Sequence, residues 1–120
     1  MDERQGEPAS GVERAGRPSD RAIELPHGCE LVRTTREFDE HTVPGGLLAA
    51  HRVADGVWGR LVVRNGSLRF GFDDAPGERL VVAGDSQVIP PARVHHLTIE
   101  GAVRFVVEFH RPTGAGTVST

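Results

Sequence analysis

Apolar and polar positions alternate along the middle of the chain, and this pattern predicts short β-strands. The clearest alternation covers residues 57–64, and similar stretches lie at 30–35, 48–53, 67–72, 79–83, 86–89, 94–99 and 102–110. Turn signals separate these stretches at about 8- to 12-residue spacing, which is typical of a sandwich or barrel. The pattern therefore predicts an all-β fold, a single small antiparallel barrel.

Three turn signals suggest how these strands connect. Residues 54–56 read Ala-Asp-Gly and form a turn, and Asn65-Gly66 is a strong type I′ hairpin signal that joins 57–64 to 67–72. Glu100-Gly101 is expected to close a final hairpin between 94–99 and 102–110. The only helical turn that the pattern allows lies near residues 44–50.

Both ends of the chain differ in composition from the middle. Residues 1–21 are rich in Glu, Arg, Gly, Pro and Ser, and 112–120 are similar. Segments with so few apolar residues do not bury enough surface to offset the entropy lost on ordering. We therefore expect a disordered extension at 1–21, one domain at 22–111 and a flexible tail at 112–120.

Composition narrows the class of protein. The net charge of -3 gives no electrostatic reason to bind nucleic acid or an anionic membrane. No apolar run approaches the roughly 20 residues of a membrane span, and the first residues lack the order of a signal peptide. The lone cysteine, Cys29, has no partner for an internal disulfide. These features predict a cytoplasmic protein that binds neither nucleic acid nor membrane.

One motif near the C-terminus is distinctive. In residues 84–96, Gly84, Pro90, Ala92 and His95 follow the spacing G-x5-P-x-A-x2-H. This resembles the second motif of the cupin superfamily, G-x5-P-x-G-x2-H, with Ala92 at the usual place of the second glycine. Gly84 permits a turn with positive φ, and the prolines end the preceding strand. The resemblance implies a cupin barrel, a double-stranded β-helix or jelly roll, with His95 near its lumen.

A second stretch narrows the resemblance. Residues 37–70 and 95–109 are similar to the tellurite-resistance TehB/YeaR-like domain family of small cupins, through Thr42-Val43-Pro44, Leu47-Leu48, His51, Gly56-Val57-Trp58-Gly59, Gly66, His95-His96 and the run 103–109. The similarity covers about residues 25–111. It implies a role in a stress or oxyanion response, whereas the glycine-rich pattern of an S-adenosylmethionine site is absent.

The histidines are the main candidates for chemistry. The chain has six, and His51, His95 and His96 lie within apolar stretches, where they are either hydrogen-bonded to the backbone or metal ligands. The usual first cupin motif, with H-x-H and a glutamate, is broken, because Gly59 stands where the glutamate is expected. Of the residues near the expected H-x-H, only His51 can take the place of its histidines.

A carboxylate is expected to complete a set of metal ligands that includes His51 and His95. If Glu100-Gly101 is a two-residue turn, Glu108 shares a face with His95, whereas a turn one residue longer brings His96 to Glu108 instead. A set of His51, His95 and Glu108 suits a divalent transition metal, Zn(II) or Fe(II). The structural alternative, of equal weight, is a salt bridge from Glu108 to Arg60 or Arg104.

A ligand pocket is expected beside this metal. Trp58 is a candidate wall residue, although core packing explains it more simply. Arg60 and Arg104 are candidates to hold an anion, although a solvated face is the simpler interpretation.

Three functional hypotheses follow. The first is a metal-binding cupin that binds a small molecule or an oxyanion in stress or detoxification. The second is a metalloenzyme, a dioxygenase or isomerase of a small organic substrate, and the third is a non-catalytic interaction module. A homodimer is also expected, since a small barrel gains stability by burying further apolar surface.

Overall fold

The computed structural model describes residues 23–49 and 51–113. The disorder predicted for 1–21 and the last seven residues of the predicted tail, 114–120, lie outside these ranges, and the domain bounds stay a prediction. Within them the chain forms seven strands and one short 3-10 helix: β1 (Cys29–Thr34), β2 (Phe38–Asp39), the 3-10 helix (Gly45–Leu48), β3 (Trp58–Phe72), β4 (Arg79–Val82), β5 (Ser86–Ile89), β6 (His95–Thr98) and β7 (Val103–Pro112).

The long strand β3 belongs to two sheets. In its first half, Leu61 lies opposite Gln87 of β5 on one side and Val107 of β7 on the other. In its second half, Phe70 lies opposite Arg79 of β4 and Leu97 of β6. The two short strands β1 and β2 pair with β7, and every pairing is antiparallel. The predicted all-β antiparallel architecture is therefore confirmed.

The hairpin predicted at Asn65-Gly66 is wrong. These residues lie inside β3, where a register shift opposite β7 between Val63 and Asn65 marks a bulge. Gly66 does have the positive φ of 71° that the dipeptide signals. The chain uses it to bend the strand from one sheet into the other rather than to reverse direction.

The final hairpin around Glu100-Gly101 is also wrong. Strands β6 and β7 do not pair with each other, because each pairs with a different half of β3. Leu97 and Phe105 are both almost fully buried. The two strands thus cover the interior from different sheets. In a hairpin they would lie side by side in one sheet.

The strand predicted at 48–53 is reduced to one residue. His51 forms an isolated bridge to His95, while Gly45–Leu48 forms the 3-10 helix. This helix lies within the turn predicted at 44–50.

The core fills the space between the sheets. Phe70, Phe72 and Phe105 have at most 1% of their surface exposed. Buried Arg79 ties β4 to β5 by donating to the Ser86 carbonyl at 2.9 Å and to Gln87 Oε1 at 2.6 Å. Across 23–49 and 51–113, no helix has the length and apolar character needed to cross a membrane. The homodimer stays a prediction.

The bend in β3 generates a test of the fold. An added Cβ at Gly66 would overlap the backbone of Ala102, at a φ that side chains rarely adopt. Gly56 has a similar φ of 77°, yet nothing lies within 4 Å of its added Cβ. We expect Gly56→Ala to cost about 1–2 kcal/mol of unfolding free energy and Gly66→Ala to cost clearly more. Urea denaturation of both variants measures this, and equal losses would contradict the role of the close approach to Ala102.

Candidate functional site

A two-residue backbone bridge brings His51 and His95 together. The amide of His51 donates to the carbonyl of His95 at 2.8 Å, and the amide of His95 donates to the carbonyl of His51 at 2.7 Å. Residues opposed in this way have side chains on the same face. The two imidazoles consequently meet, with Nδ1 of His51 3.4 Å from Nε2 of His95 and ring centroids 5.3 Å apart in an edge-to-face arrangement.

The surroundings of His95 determine where its proton lies. The residue is 3% exposed, and its ring stacks on Phe70 with centroids 5.3 Å apart. Nδ1 of His95 lies 3.1 Å from the carbonyl of Arg93. Because a carbonyl only accepts, we assign the proton to Nδ1 and the lone pair to Nε2. His51 then donates from Nδ1, which leaves its own Nε2 as an acceptor.

Burial keeps both rings neutral. It lowers the pKa of His51 below the ordinary value of 6.5. Burial also lowers the pKa of His95, an effect that the hydrogen bond to the Arg93 carbonyl partly opposes. Near pH 7 the pair therefore offers two uncharged imidazoles.

The pair forms part of the wall of a partly open cavity, which we call the chamber. Its volume is about 220 Å³, and its lining residues are Thr35, Phe38, Pro44, Gly46, Leu47, His51, Val53, Leu61, Ile89, His95, Leu97, Val107 and Phe109. The hydroxyl of Thr35 already accepts from the amide of Val107 at 3.0 Å and donates to the carbonyl of Arg36 at 2.8 Å. Among these lining side chains, the imidazole pair is thus the polar group available to a ligand.

The structure places His96 away from the pair. Successive residues of a strand face opposite sides, so the side chain of His96 leaves β6 on the other face from His95. Its Nδ1 lies 2.7 Å from Asp73 and its Nε2 lies 3.0 Å from Glu78. His96 thus belongs to a separate polar cluster outside the chamber.

Glu108 is also separate from the pair. It alternates with Val107 and Phe109, which line the chamber, and its carboxylate lies 3.1 Å from Nε2 of His110. The hairpin that was to place Glu108 on the face of His95 does not form, because β7 pairs with the first half of β3.

These positions bear on the metal prediction. Two nitrogens bound to one tetrahedral zinc at 2.0–2.1 Å lie about 3.4 Å apart, which the His51–His95 separation of 3.4 Å matches. Within 23–49 and 51–113, however, no three His, Cys, Asp or Glu side chains cluster as a metal site. The described residues supply two donors there, fewer than the three protein ligands of a catalytic zinc.

The predicted pocket residues do not line the chamber either. Arg60 is directly opposite Glu108 in the register, and its Nε lies 3.4 Å from the hydroxyl of Ser86. Arg104 is exposed and lies 3.6 Å from Glu37. Trp58 is opposite His110 and only half-buried.

Sequence reasoning missed the apolar partners of the pair. Phe70, Leu61 and Ile89 come from three separate stretches, and nothing in their spacing marks them as neighbours of His95. The available signal was the alternation around His95 itself, since Leu97 shares its face and lines the same chamber.

Comparison with known proteins gives consistent results. The model of a family described as a TehB-like domain matches residues 33–107. A protein from Escherichia coli K12 has a similar structure, with a TM-score of 0.63 and 24% identity over 73% of this chain and 95% of that one. TehB from Haemophilus influenzae has a TM-score of 0.65 and 14% identity over 78% of this chain.

The present chain spans only 36% of that TehB. A cupin-2 domain protein from Shewanella frigidimarina has a TM-score of 0.44 and 21% identity over 72% of this chain and 74% of its own. Among curated proteins, none matches the sequence. The predicted family is confirmed, and the first two of these structures agree in fold with the present chain.

The buried imidazoles predict a dependence of stability on pH. Because the pKa of His95 is lower in the folded state than the ordinary 6.5, the unfolded chain binds more protons as the pH falls below that value. Stability is therefore lost as the pH falls, in the window that begins near 6.5 and extends downward. His95→Asn retains a donor for the Arg93 carbonyl but does not titrate. We expect this variant to lose less stability than wild type between about pH 7.5 and about pH 5.5.

Urea denaturation at the two pH values measures the difference. His41→Asn is the control, because the side chain of His41 is 82% exposed. The same pH dependence in wild type and His95→Asn would show that His95 is not held neutral by burial.

Proposed function

Since the chain belongs to the TehB-like domain family and the chamber lies between its two sheets, we propose that it binds a small, largely apolar molecule there. The imidazole pair supplies the polar anchor. The observation that carries this proposal is the meeting of two neutral imidazoles, His95 buried and His51 half-buried, at the wall of an otherwise apolar cavity.

The size of the chamber limits the ligand. Ligand sites are mostly apolar, with a few polar groups that orient the molecule. An apolar cavity of about 150 Å³ accommodates benzene, so the chamber of about 220 Å³ suits a benzene ring with a small substituent. A ligand of this size buries its apolar body against Leu61, Ile89 and Leu97.

The hydrogen bonding of the pair specifies the polar group of the ligand. Nδ1 of His51 is directed to His95, and no described contact occupies Nε2 of His51. That lone pair suits a hydroxyl or N–H donor on the ligand. A bound donor also removes the cost of leaving a half-buried acceptor without a partner.

An oxyanion suits the chamber less well. Such an ion is strongly hydrated, and the lining residues include no arginine to replace its water. The stress or oxyanion role, the cytoplasmic location and the dioxygenase or isomerase alternative, which came from the sequence and its resemblance, stay predictions.

A metal held by His51 and His95 is the second candidate. The separation of 3.4 Å between their ring nitrogens supports it. Both imidazoles are neutral, and a metal ligand must offer a lone pair, so His51 would carry its proton on Nε2 in this case rather than on Nδ1. The remaining positions would belong to water or to a bound molecule. The two residues would hold and orient the ion, and the ion would supply Lewis acidity.

Phenol and toluene test the main proposal. They share an aromatic body, but only phenol donates a hydrogen bond. We expect both to bind the wild type and His51→Phe to weaken phenol about 2- to 10-fold, the size of one hydrogen bond, while toluene binding stays unchanged. Binding is followed by chemical shifts in NMR titrations.

Two further variants complete this test. Leu47→Trp adds bulk to the chamber wall and should exclude both molecules, whereas His41→Phe, at an exposed site, should exclude neither. Absence of binding of either molecule to the wild type would contradict the proposed function. Equal weakening of phenol and toluene in His51→Phe would contradict the anchoring role of the imidazoles.

Zinc titration of metal-free protein tests the second candidate. A metal at the pair should give one zinc per chain by calorimetry, lost in His95→Ala and retained in His96→Ala, since His96 lies in a separate cluster. No stoichiometric zinc in the wild type, or equal losses in the two variants, would rule out a zinc site at the pair.

A further inference from the structure

A second cavity adjoins the chamber and differs from it in charge. Its volume is about 370 Å³, and three arginines line it: Arg33, Arg52 and Arg111. His51, Val53 and Phe109 line both this cavity and the chamber. We call it the arginine cavity. His51 thus lies at the junction of an apolar compartment and a cationic one.

The positive charge of this cavity is local. The chain as a whole has a net charge of -3, yet among the residues that the structure describes no carboxylate lines the arginine cavity. Five other arginines have an acidic partner within 4.0 Å, namely Arg64, Arg69, Arg79, Arg93 and Arg104. In the part of the chain that the structure describes, no salt bridge is found for Arg33, Arg52 or Arg111.

Two of the three arginines have defined neighbours. The guanidinium of Arg33 lies over the ring of Phe109, 4.8 Å from its centroid, and so lies directly at the junction. Arg111 is opposite Glu30 in the strand register, so the two side chains share a face. No salt bridge joins them, and Glu30 is exposed and does not line the cavity. The charge of the cavity is therefore open to neutralisation by a ligand.

We propose that the ligand is an amphipathic organic carboxylate whose apolar body occupies the chamber and whose carboxylate binds in the arginine cavity. The planar guanidinium forks of arginine match a carboxylate and form charge-assisted hydrogen bonds with it. The chamber itself excludes such a charge, because its walls are apolar and its imidazoles neutral. A hydroxyl near the middle of the ligand is the group that meets His51. This inference rests on the proposed function, since it needs the chamber as a binding site.

Three probes separate the two compartments: 3-phenylpropionate, its uncharged counterpart 3-phenyl-1-propanol, and acetate. Calorimetry on the full chain at low salt gives each Kd. We expect 3-phenylpropionate to bind about tenfold more tightly than the alcohol, through its charge-assisted bonds. This advantage should shrink as salt is added. Acetate, which lacks the apolar body, should not bind measurably.

Substitutions then test whether the arginines cause the tighter binding of 3-phenylpropionate. The double substitution Arg52→Gln/Arg111→Gln should remove the tenfold advantage and leave the Kd of the alcohol unchanged. Arg33 is kept, because it packs on Phe109. Arg104→Gln is the control, since Arg104 is exposed and lines neither compartment.

Three other outcomes would contradict the inference, the proposed function or both. Equal affinities for 3-phenylpropionate and 3-phenyl-1-propanol in the wild type, or an advantage that survives the double substitution, would overturn this inference and leave the proposed function standing. Acetate binding as tightly as 3-phenylpropionate would overturn the claim that one ligand spans both compartments. Failure of both phenyl compounds to bind would overturn the proposed function together with the inference.

Discussion

The bend of β3 at Asn65-Gly66 is the constraint on which the rest of the structure depends. Because one strand runs through both sheets, β5 and β7 flank its first half and β4 and β6 flank its second. His95 on β6 and Val107 on β7 therefore lie in different sheets and face a shared interior. The chamber is the space between them. Gly66 allows this path because it combines a positive φ with a close approach to Ala102.

The chamber is lined by neutral imidazoles, and the charged guanidinium groups lie outside it. The two imidazoles lose their charge on burial, so they add hydrogen-bonding capacity without the cost of a buried ion. The guanidinium groups, which do not lose their charge, lie in the outer arginine cavity. His51 and Phe109 line both spaces, so the apolar and the cationic surfaces meet at these two residues.

Part of the site followed from the sequence and part did not. His51 and His95 were predicted to face one lumen, and the structure places their ring nitrogens 3.4 Å apart. Glu108 and His96 were expected to join them, and the structure places both elsewhere. The alternation of a strand shows which of its residues share a face. The residues that this face contacts are known only when the partner strand is known. The assumed partner of β6 was β7, whereas its actual partner is β3.

The sequence by itself determined the all-β class, most strand positions, the family and the histidines worth examining. These depend on local periodicity, on turn residues and on motifs within one stretch of chain. Only the tertiary structure decided the two sheets of β3, the bridge between His51 and His95, and the convergence of Arg33, Arg52 and Arg111 on one cavity. Each of these depends on contacts between distant segments, and such contacts are selected by how all the apolar faces are buried together rather than by any single stretch.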